Sequence, residues 1–287
     1  MRVRSQQFDP RQTMRAAAYE VFHYKDPSPS AVEVHHHDFY EVYFLLGGKV
    51  EYWVDGRIIR MEPGDLLLIS PMELHRPIVD PQSPAYERIV LWINKEYLES
   101  LSADGVALHG CFNTAAPNHT HLLHTSSSQR TLITERLADL VRESYSREFG
   151  SRLCADGILL QFMVQLNRMA QRSNAVQEVS QELSPLTQKV IGYIHEHIGE
   201  KLSLESLADR FFISKYHLSH AFSREVGVSV YRYVMLRRLL LARQMLSEGE
   251  SAGTVCRSCG FADYTSFYRA FKSEYGISPR EYAANAM

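Results

Sequence analysis

No apolar run in this chain reaches the roughly 18–20 residues that a membrane-spanning helix needs. The opening stretch MRVRSQQFDPRQTM has no apolar core of the kind a secretory signal carries. A cytoplasmic protein with no membrane partner is the plain expectation. Cysteine is scarce as well. Of Cys111, Cys154, Cys256 and Cys259, only the last two have a metal-like spacing. No second CxxC and no closely spaced histidine pair nearby completes a zinc site, so both read as small buried apolar residues. Overall charge bias is missing too, with 31 Lys+Arg against 33 Asp+Glu. The distribution is less even. Residues 186–287 hold 13 of the basic and 10 of the acidic groups, which leaves 18 and 23 for the rest. A basic segment on an acidic body points toward nucleic acid.

The length, 287 residues, exceeds what one hydrophobic core usually holds, so two domains are expected. The apolar fraction of 45% and the charged fraction of 22% are ordinary globular values. Residues 1–30 read as irregular and end in the turn-rich KDPSPS. From 31 to about 94 the text reads as strands: EVYFLL, KVEYWV, RIIRM, DLLLIS and RIVLWI. They are separated by GG, DG, PGD and Pro-containing punctuation, and the Asp-Gly in VDGRII is a tight-hairpin signal. Many short antiparallel strands suggest a barrel or sandwich.

Helical spacing takes over later, in residues 129–149 and 152–171, with Gly150-Ser151 between them. An antiparallel helix pair follows from the short join. Its apolar surface exceeds one narrow stripe, so core packing and a homodimer seam are both open. Residues 171–185, QRSNAVQEVSQELSP, read as a linker. The fold class is then α+β in two domains. Residues 1–170 form an antiparallel β-barrel with a following helix pair, and residues 186–287 an all-α domain.

That all-α segment contains a duplication. SKYHLSHAFSREVGVSVYRYV (214–234) matches DYTSFYRAFKSEYGISPREYA (263–283) at an offset of 49, with Phe222 on Phe271, Gly227 on Gly276, Ser229 on Ser278 and Tyr233 on Tyr282. Each copy reads as a short helix, a tight turn and a second helix capped by Ser214 or Asp263. Leu218 and Phe222, then Phe267 and Phe271, face inward four residues apart, and Gly227 or Gly276 ends the helix. Two short helices joined by a tight turn make a helix-turn-helix, whose second helix enters the major groove.

The motifs LADRFFISKYHLSHAFSREVGVSVYRYV, RRLLLARQML and CGFADYTSFYRAFKSEYGISPREY resemble the DNA-binding domain of AraC/XylS-type bacterial transcription regulators. The resemblance covers all of 186–287. It implies two recognition helices in successive major grooves of a double-stranded operator. A homodimer through residues 129–171, with RNA polymerase as a further partner, is the matching expectation. The exposed positions are Lys215, Tyr216, Ser219 and His220 in one helix, and Tyr264, Thr265, Ser266, Tyr268 and Arg269 in the other. By resemblance, base-edge contacts fall on Tyr216, Ser219 and His220, and on Thr265, Ser266 and Arg269. A guanidinium can pair bidentately with guanine, which singles out Arg269. Lys215, Arg224, Arg237, Arg238, Lys272 and Arg280 are candidates for phosphate contacts or intradomain pairs.

The stretch HHHDFYEVYFLLGG (35–48) carries the other chemistry. In a strand from 34 to 46, His35, His37, Phe39, Glu41 and Tyr43 share one face and His36 the other. The pattern resembles the first cupin motif, and PGDLLLISPMELH (63–75) resembles the second, which brings in His75. In metal-binding cupins these positions supply three histidines and a carboxylate. The resemblance makes His35, His37, Glu41 and His75 candidate ligands for a transition metal. The segment also resembles the effector domains of sugar-responsive AraC-type regulators. There His35, His37, Glu41, Tyr43, His75 and Trp92, with Trp53 and Tyr52 in range, would bind a carbohydrate by hydrogen bonding and ring stacking. An organic effector, a metal ion and a structural polar cluster all remain open. The expected protein is a ligand-responsive, non-enzymatic regulator of carbohydrate uptake or metabolism genes. The alternative is a metal-dependent cupin enzyme fused to a helical domain.

Overall fold

The computed structural model describes residue 8 and residues 12–27, 32–83, 86–117, 119–173 and 180–286. Contacts divide the chain into two units, Met1–Gln181 and Glu182–Met287.

In the first unit, strands β1 (Tyr19–Asp26), β2 (Tyr40–Gly47), β3 (Val50–Val54), β4 (Arg57–Met61), β5 (Leu66–Ile69), β6 (His75–Val79) and β7 (Tyr86–Ile93) form the body. β1 corrects the irregular reading of residues 1–30. YEVFHYKD has the alternation of a strand, and β7 supplies its partner along its whole length, from Tyr19 opposite Ile93 to Asp26 opposite Tyr86. Short strands β8 (Leu122–Leu123) and β9 (Ser180–Glu182) complete two sheets, ordered β1-β7-β2-β5-β8 and β6-β3-β4-β9. Asp55 and Gly56, both at positive φ, close the β3–β4 hairpin as the Asp-Gly signal indicates.

The two-residue strand period divides the larger sheet into two faces. Val42 and Phe44 of β2, and Ile89, Leu91 and Ile93 of β7, point outward into a core shared with helices. Tyr43 and Leu45 of β2, and Tyr86, Val90 and Trp92 of β7, point inward between the sheets. Helix α1 (Lys95–Ser100), capped by Asn94, follows β7 and was not visible in the sequence pattern. Helices α2 (Ser127–Tyr145) and α3 (Ser151–Arg172) form the expected pair. α2 opens on a capping box between Ser126 and Gln129. It stops four residues earlier than expected, because Ser146 is extended and Gly150, at φ 76°, turns the chain into α3. Ile133, Leu137 and Leu140 of α2 and Leu159, Phe162 and Leu166 of α3 are fully buried against the sheet. Each such side chain contributes about 1.5–3 kcal/mol.

Of the segment read as a linker, 174–179 lies outside the described residues. The flanks are structured, since α3 runs to Arg172 and β9 begins at Ser180.

The second unit is helical: α4 (Pro185–Glu196), α5 (Leu204–Arg210), α6 (Lys215–Val226), α7 (Val230–Ser247), α8 (Ala252–Ser258), α9 (Tyr264–Tyr275) and α10 (Pro279–Ala286). α5–α6 and α8–α9 are the two helix-turn-helix units, and α7 runs between them. The duplication is imperfect at one point. The first turn, Phe211–Ser214, is one residue shorter than the second, Cys259–Asp263. Both turns need a left-handed residue, which is Gly260 (φ 74°) in the second but Phe212 (φ 56°) in the first. Cys256 and Cys259 are buried beside Leu239, Leu246 and Phe267, as small apolar residues.

Candidate functional site

A partly open cavity lies between the sheets of the first unit. Strand parity decides its lining. From β7 come Tyr86, Arg88, Val90 and Trp92, from β2 Glu41 and Tyr43, and from β1 Tyr24 and Asp26. Tyr52 of β3 and His35 also face it. Trp53 has the opposite parity and does not line it, although it is fully buried.

The polar groups of this cavity are organised. Arg88 is 4% exposed, an unusual place for a guanidinium. It pairs with Asp26 from the neighbouring strand and lies over the rings of Tyr86 (4.1 Å), Tyr24 (4.9 Å) and Phe8 (5.2 Å). The Tyr43 hydroxyl donates to that of Tyr86. Burial pushes the Tyr86 phenol up to about 12 and raises the Tyr43 phenol well above its usual range, so both stay protonated donors. At the other end, Trp92 Nε1–H donates to Glu41 Oε2 at 2.9 Å. The cavity therefore presents a carboxylate, phenols and an internally neutralised guanidinium over aromatic faces.

The histidine stretch is not a strand. β2 begins at Tyr40, and residues 35–39 reach it through bends and a single bridge between His35 and His75. The two-residue period expected from residue 34 therefore starts six residues late. Even so, one atom each from His37, Glu41 and His75 lies within 4.8 Å of the others. His37 Nε2 is 3.2 Å from Glu41 Oε2. His35 is not among the converging three, which corrects the four-residue set. Its ring is 4.2 Å from that of His75, and its Nδ1–H donates to the Glu33 carbonyl. His36 is buried and is not among the three either. Of the sequence-derived cavity residues, His35, Glu41, Tyr43 and Trp92 line the space, whereas His37 and His75 are buried next to it without lining it. Burial holds His75 well below the usual imidazole range and brings His35 down to about 4, so both are neutral. As neutral imidazoles beside a carboxylate, these side chains are chemically suited to a metal ion.

Among the cavity residues that escaped the sequence reading are Tyr24, Asp26, Tyr86 and Arg88. Arg88 carried a usable signal. Counting back by twos from Trp92 reaches Val90, Arg88 and Tyr86, so a charge sits on the inward parity of an apolar strand. Tyr24 and Asp26 lay in the stretch read as irregular.

In the second unit, α6 and α9 present the expected residues. Lys215, Tyr216, His220, Tyr264, Thr265, Ser266 and Arg269 are exposed, and Ser219 is half-buried. The inner faces hold Leu218, Phe222, Phe267 and Phe271, each at most 1% exposed. Ser214 caps α6 by accepting from the His217 N–H, and Asp263 caps α9 by accepting from the Ser266 N–H. The Ser266 hydroxyl also donates to Asp263, 2.9 Å away, and is tied into the cap. Lys215 reaches Glu205 at 3.5 Å, an exposed pair of small energy. Among the phosphate candidates, Arg238 has a structural job. Its guanidinium donates to the carbonyls of Ile198 (3.1 Å) and Glu200 (2.5 Å). Arg224 lies 3.5 Å from Glu225, Lys272 sits over the Tyr268 ring, and Arg280 is exposed.

Two family models match. One, described as an AraC-like ligand binding domain, spans residues 18–163, and the other, a helix-turn-helix domain, spans 207–285. The chain is 26% identical over 249 residues to the HTH-type transcriptional activator RhaS of Escherichia fergusonii, covering 86% of each. To RhaS of an Escherichia coli strain it is 21% identical over 248 residues, again covering 86% of each. Among solved structures, it resembles the C-terminal domain of AraT, a response regulator from Geobacillus stearothermophilus. That match is at 28% identity and a TM-score of 0.35, over 36% of this chain and 87% of that one. With a cavity in a two-sheet N-terminal unit and a tandem helix-turn-helix behind it, the chain belongs to the AraC family of ligand-responsive, DNA-binding transcription regulators.

Proposed function

We propose that the effector is a small polyhydroxylated molecule of the carbohydrate class, bound between the Arg88–Asp26 pair and the Glu41–Trp92 pair. The observation that supports this is the composition of the cavity wall. Acceptors (Asp26, Glu41) and donors (Arg88, the Tyr43 and Tyr86 phenols) alternate around aromatic faces. Each sugar hydroxyl both donates and accepts, and ring C–H faces stack on aromatics, so such a wall matches it group by group. An anionic effector fits less well, because Asp26 already neutralises Arg88. The test is a melting-temperature screen of the full chain against neutral sugars and sugar acids. A neutral sugar that stabilises wild type but not Arg88→Met supports the reading. Stabilisation by acids alone overturns it.

The output side follows from α6 and α9. Tyr216, Ser219 and His220, and Thr265 and Arg269, read bases in successive major grooves, with Lys215 and Arg280 on phosphates. Tyr264 stands at the edge of the second surface, and Ser266 contributes through its backbone and cap more than through its hydroxyl. The protein acts as a homodimer. Leu132 of α2 and Leu153 and Leu160 of α3 are exposed large apolar side chains, and Phe149 between the helices is fully exposed. A self-complementary contact is the economical way to cover such a face. DNA occupancy is read out by RNA polymerase at the promoter.

A further inference from the structure

The two helix-turn-helix turns begin in the same way. In the first, Phe211 ends α5, the Phe212 N–H donates to the Asp209 carbonyl and the Ile213 N–H to that of Ala208. In the second, Cys259 ends α8, the Gly260 N–H donates to the Arg257 carbonyl and the Phe261 N–H to that of Cys256. Phe212 and Gly260 are therefore equivalent. Each stands one residue past the cap, where the chain turns left-handed and glycine is the usual choice.

The second copy has no room for anything larger. A Cβ on Gly260 would lie 2.8 Å from the Arg238 guanidinium and 2.8 Å from the Ile198 carbonyl oxygen. The first copy holds a phenylalanine there, at φ 56° and 93% exposed. Two penalties meet in that residue. A bulky side chain in the left-handed region is strained. A phenyl ring in water has no hydroxyl to compensate its exposure. Phe211 and Ile213 on either side are half-buried, so the turn packs inward and Phe212 alone leaves it. Glycine would remove both penalties, which directs the use of the ring to something outside the chain.

Its position indicates what. Phe212 is two residues ahead of Ser214, the cap of α6, and exposure continues through Ser214, Lys215 and Tyr216. A groove helix reads bases with its N-terminal residues. The chain just ahead of that end crosses the strand that borders the groove, where it meets sugar and phosphate. Lys215 suits the phosphate, and a phenyl ring suits the C–H face of the sugar. We propose that Phe212 packs on the deoxyribose of a strand bordering the groove that α6 enters. It is an apolar backbone contact without a counterpart in the second copy. The inference rests on the reading of α6 as a groove helix.

The test uses the full chain and two duplexes, one selected by wild type from a random-sequence library and one of unselected sequence. Anisotropy is read at several salt concentrations. Phe212→Gly and Phe212→Asn both accept the left-handed turn. They should weaken binding to both duplexes by about three- to tenfold, the worth of covering half a phenyl ring. Phe212→Tyr keeps the ring and should stay within about twofold of wild type. The salt slope should hold, because no charge is lost. Phe212→Gly should also raise the melting temperature, which separates weaker binding from a weaker fold. Undiminished binding by Phe212→Gly overturns the proposal. A loss confined to the selected duplex does so too, since the ring then touches a base. So does intact binding with lost transcription from a promoter carrying the selected site, since the ring then meets the polymerase. Tyr216→Ala keeps the two readings apart. If it weakens binding and Phe212→Gly does not, this inference alone fails; if neither does, the groove reading of α6 fails with it.

Discussion

Arg88→Met removes the charge from the most buried cation of the cavity while keeping a long apolar stem. Its partner Asp26 stays behind. Breaking a buried ion pair from one side costs about 3–5 kcal/mol, mostly because the orphaned charge is left out of water. Here the side-chain exposures are 5% for Arg88 and 18% for Asp26, so water reaches the orphan and the lower end, about 3 kcal/mol, applies. Lost contact with the Tyr86, Tyr24 and Phe8 rings is part of that figure. The double variant Arg88→Met/Asp26→Asn removes the orphan charge and should recover most of the loss, ending within about 1 kcal/mol of wild type. Urea unfolding followed by tryptophan emission measures this cleanly. Both tryptophans, Trp53 and Trp92, lie buried in the first unit, so the signal ignores the helical unit. A loss of about 3 kcal/mol in that unit lowers its melting temperature by about 6–12 °C. If the single variant loses less than about 1 kcal/mol, or the double variant is as unstable as the single, Arg88 and Asp26 do not form a buried, mutually neutralising pair.

Arg269→Ala should weaken binding to the cognate operator by about 1–3 kcal/mol and relax preference at one base position, read by anisotropy on operator and random duplexes. Lys215→Ala should weaken both duplexes alike and reduce the salt slope by about one, and a selective loss on the operator alone contradicts a phosphate role. Phe212→Gly should stabilise the helical unit by about 1 kcal/mol, because it relieves a left-handed non-glycine residue; a destabilised variant would mean that the exposed ring has a partner. Leu153→Lys should shift sedimentation of the full chain toward monomer without lowering its melting temperature at high dilution. Acidification should weaken the helical unit through His195, whose imidazole donates to or accepts from the Tyr233 hydroxyl at 2.8 Å and is lowered by burial from 6.5 to about 4. The unfolded chain takes up that proton first, so stability is full above pH 6.5 and declines as the pH falls toward 4. His195→Gln should flatten the far-ultraviolet dichroism profile over that window.

The helical unit was legible because its determinants are local. Ser214 and Asp263 cap, Gly227 and Gly276 terminate, and Leu218, Phe222, Phe267 and Phe271 pack, each copy's set lying within 13 residues along the chain. The cavity was legible only in part because its determinants are not local. Glu41 and Trp92 meet because β2 pairs with β7, and Asp26 meets Arg88 because β1 pairs with β7 on its other side. Residue pattern shows which side chains share a face; it does not show which strands are neighbours. The start of β2 illustrates the difference. Alternation from His35 onward looks the same as from Tyr40, yet ladder pairing begins at Tyr40, opposite Ile93. The histidines are placed by backbone contacts with the 70–75 segment instead, such as the bridge from His35 to His75 and the Met72 N–H donating to the His37 carbonyl. His37 and Glu41 converge through that bend, and His35, first in the apparent strand, ends up beside the cluster.

The same strands that line the cavity carry the helices. On β2, Glu41 and Tyr43 face the cavity while Val42 and Phe44 pack under the helices. On β7, Arg88, Val90 and Trp92 face inward while Ile89, Leu91 and Ile93 face outward. A close-packed interior transmits displacement because it cannot absorb it. An effector that draws Glu41 or Arg88 toward itself therefore moves a strand whose other face is filled by Leu137, Leu140, Leu159 and Phe162. Those four side chains belong to α2 and α3, the helices that expose Leu132, Leu153 and Leu160. The cavity wall and the exposed helix face are thus one strand apart within this unit, and the effector needs only a differential contact with two arrangements of that strand to bias the helix face.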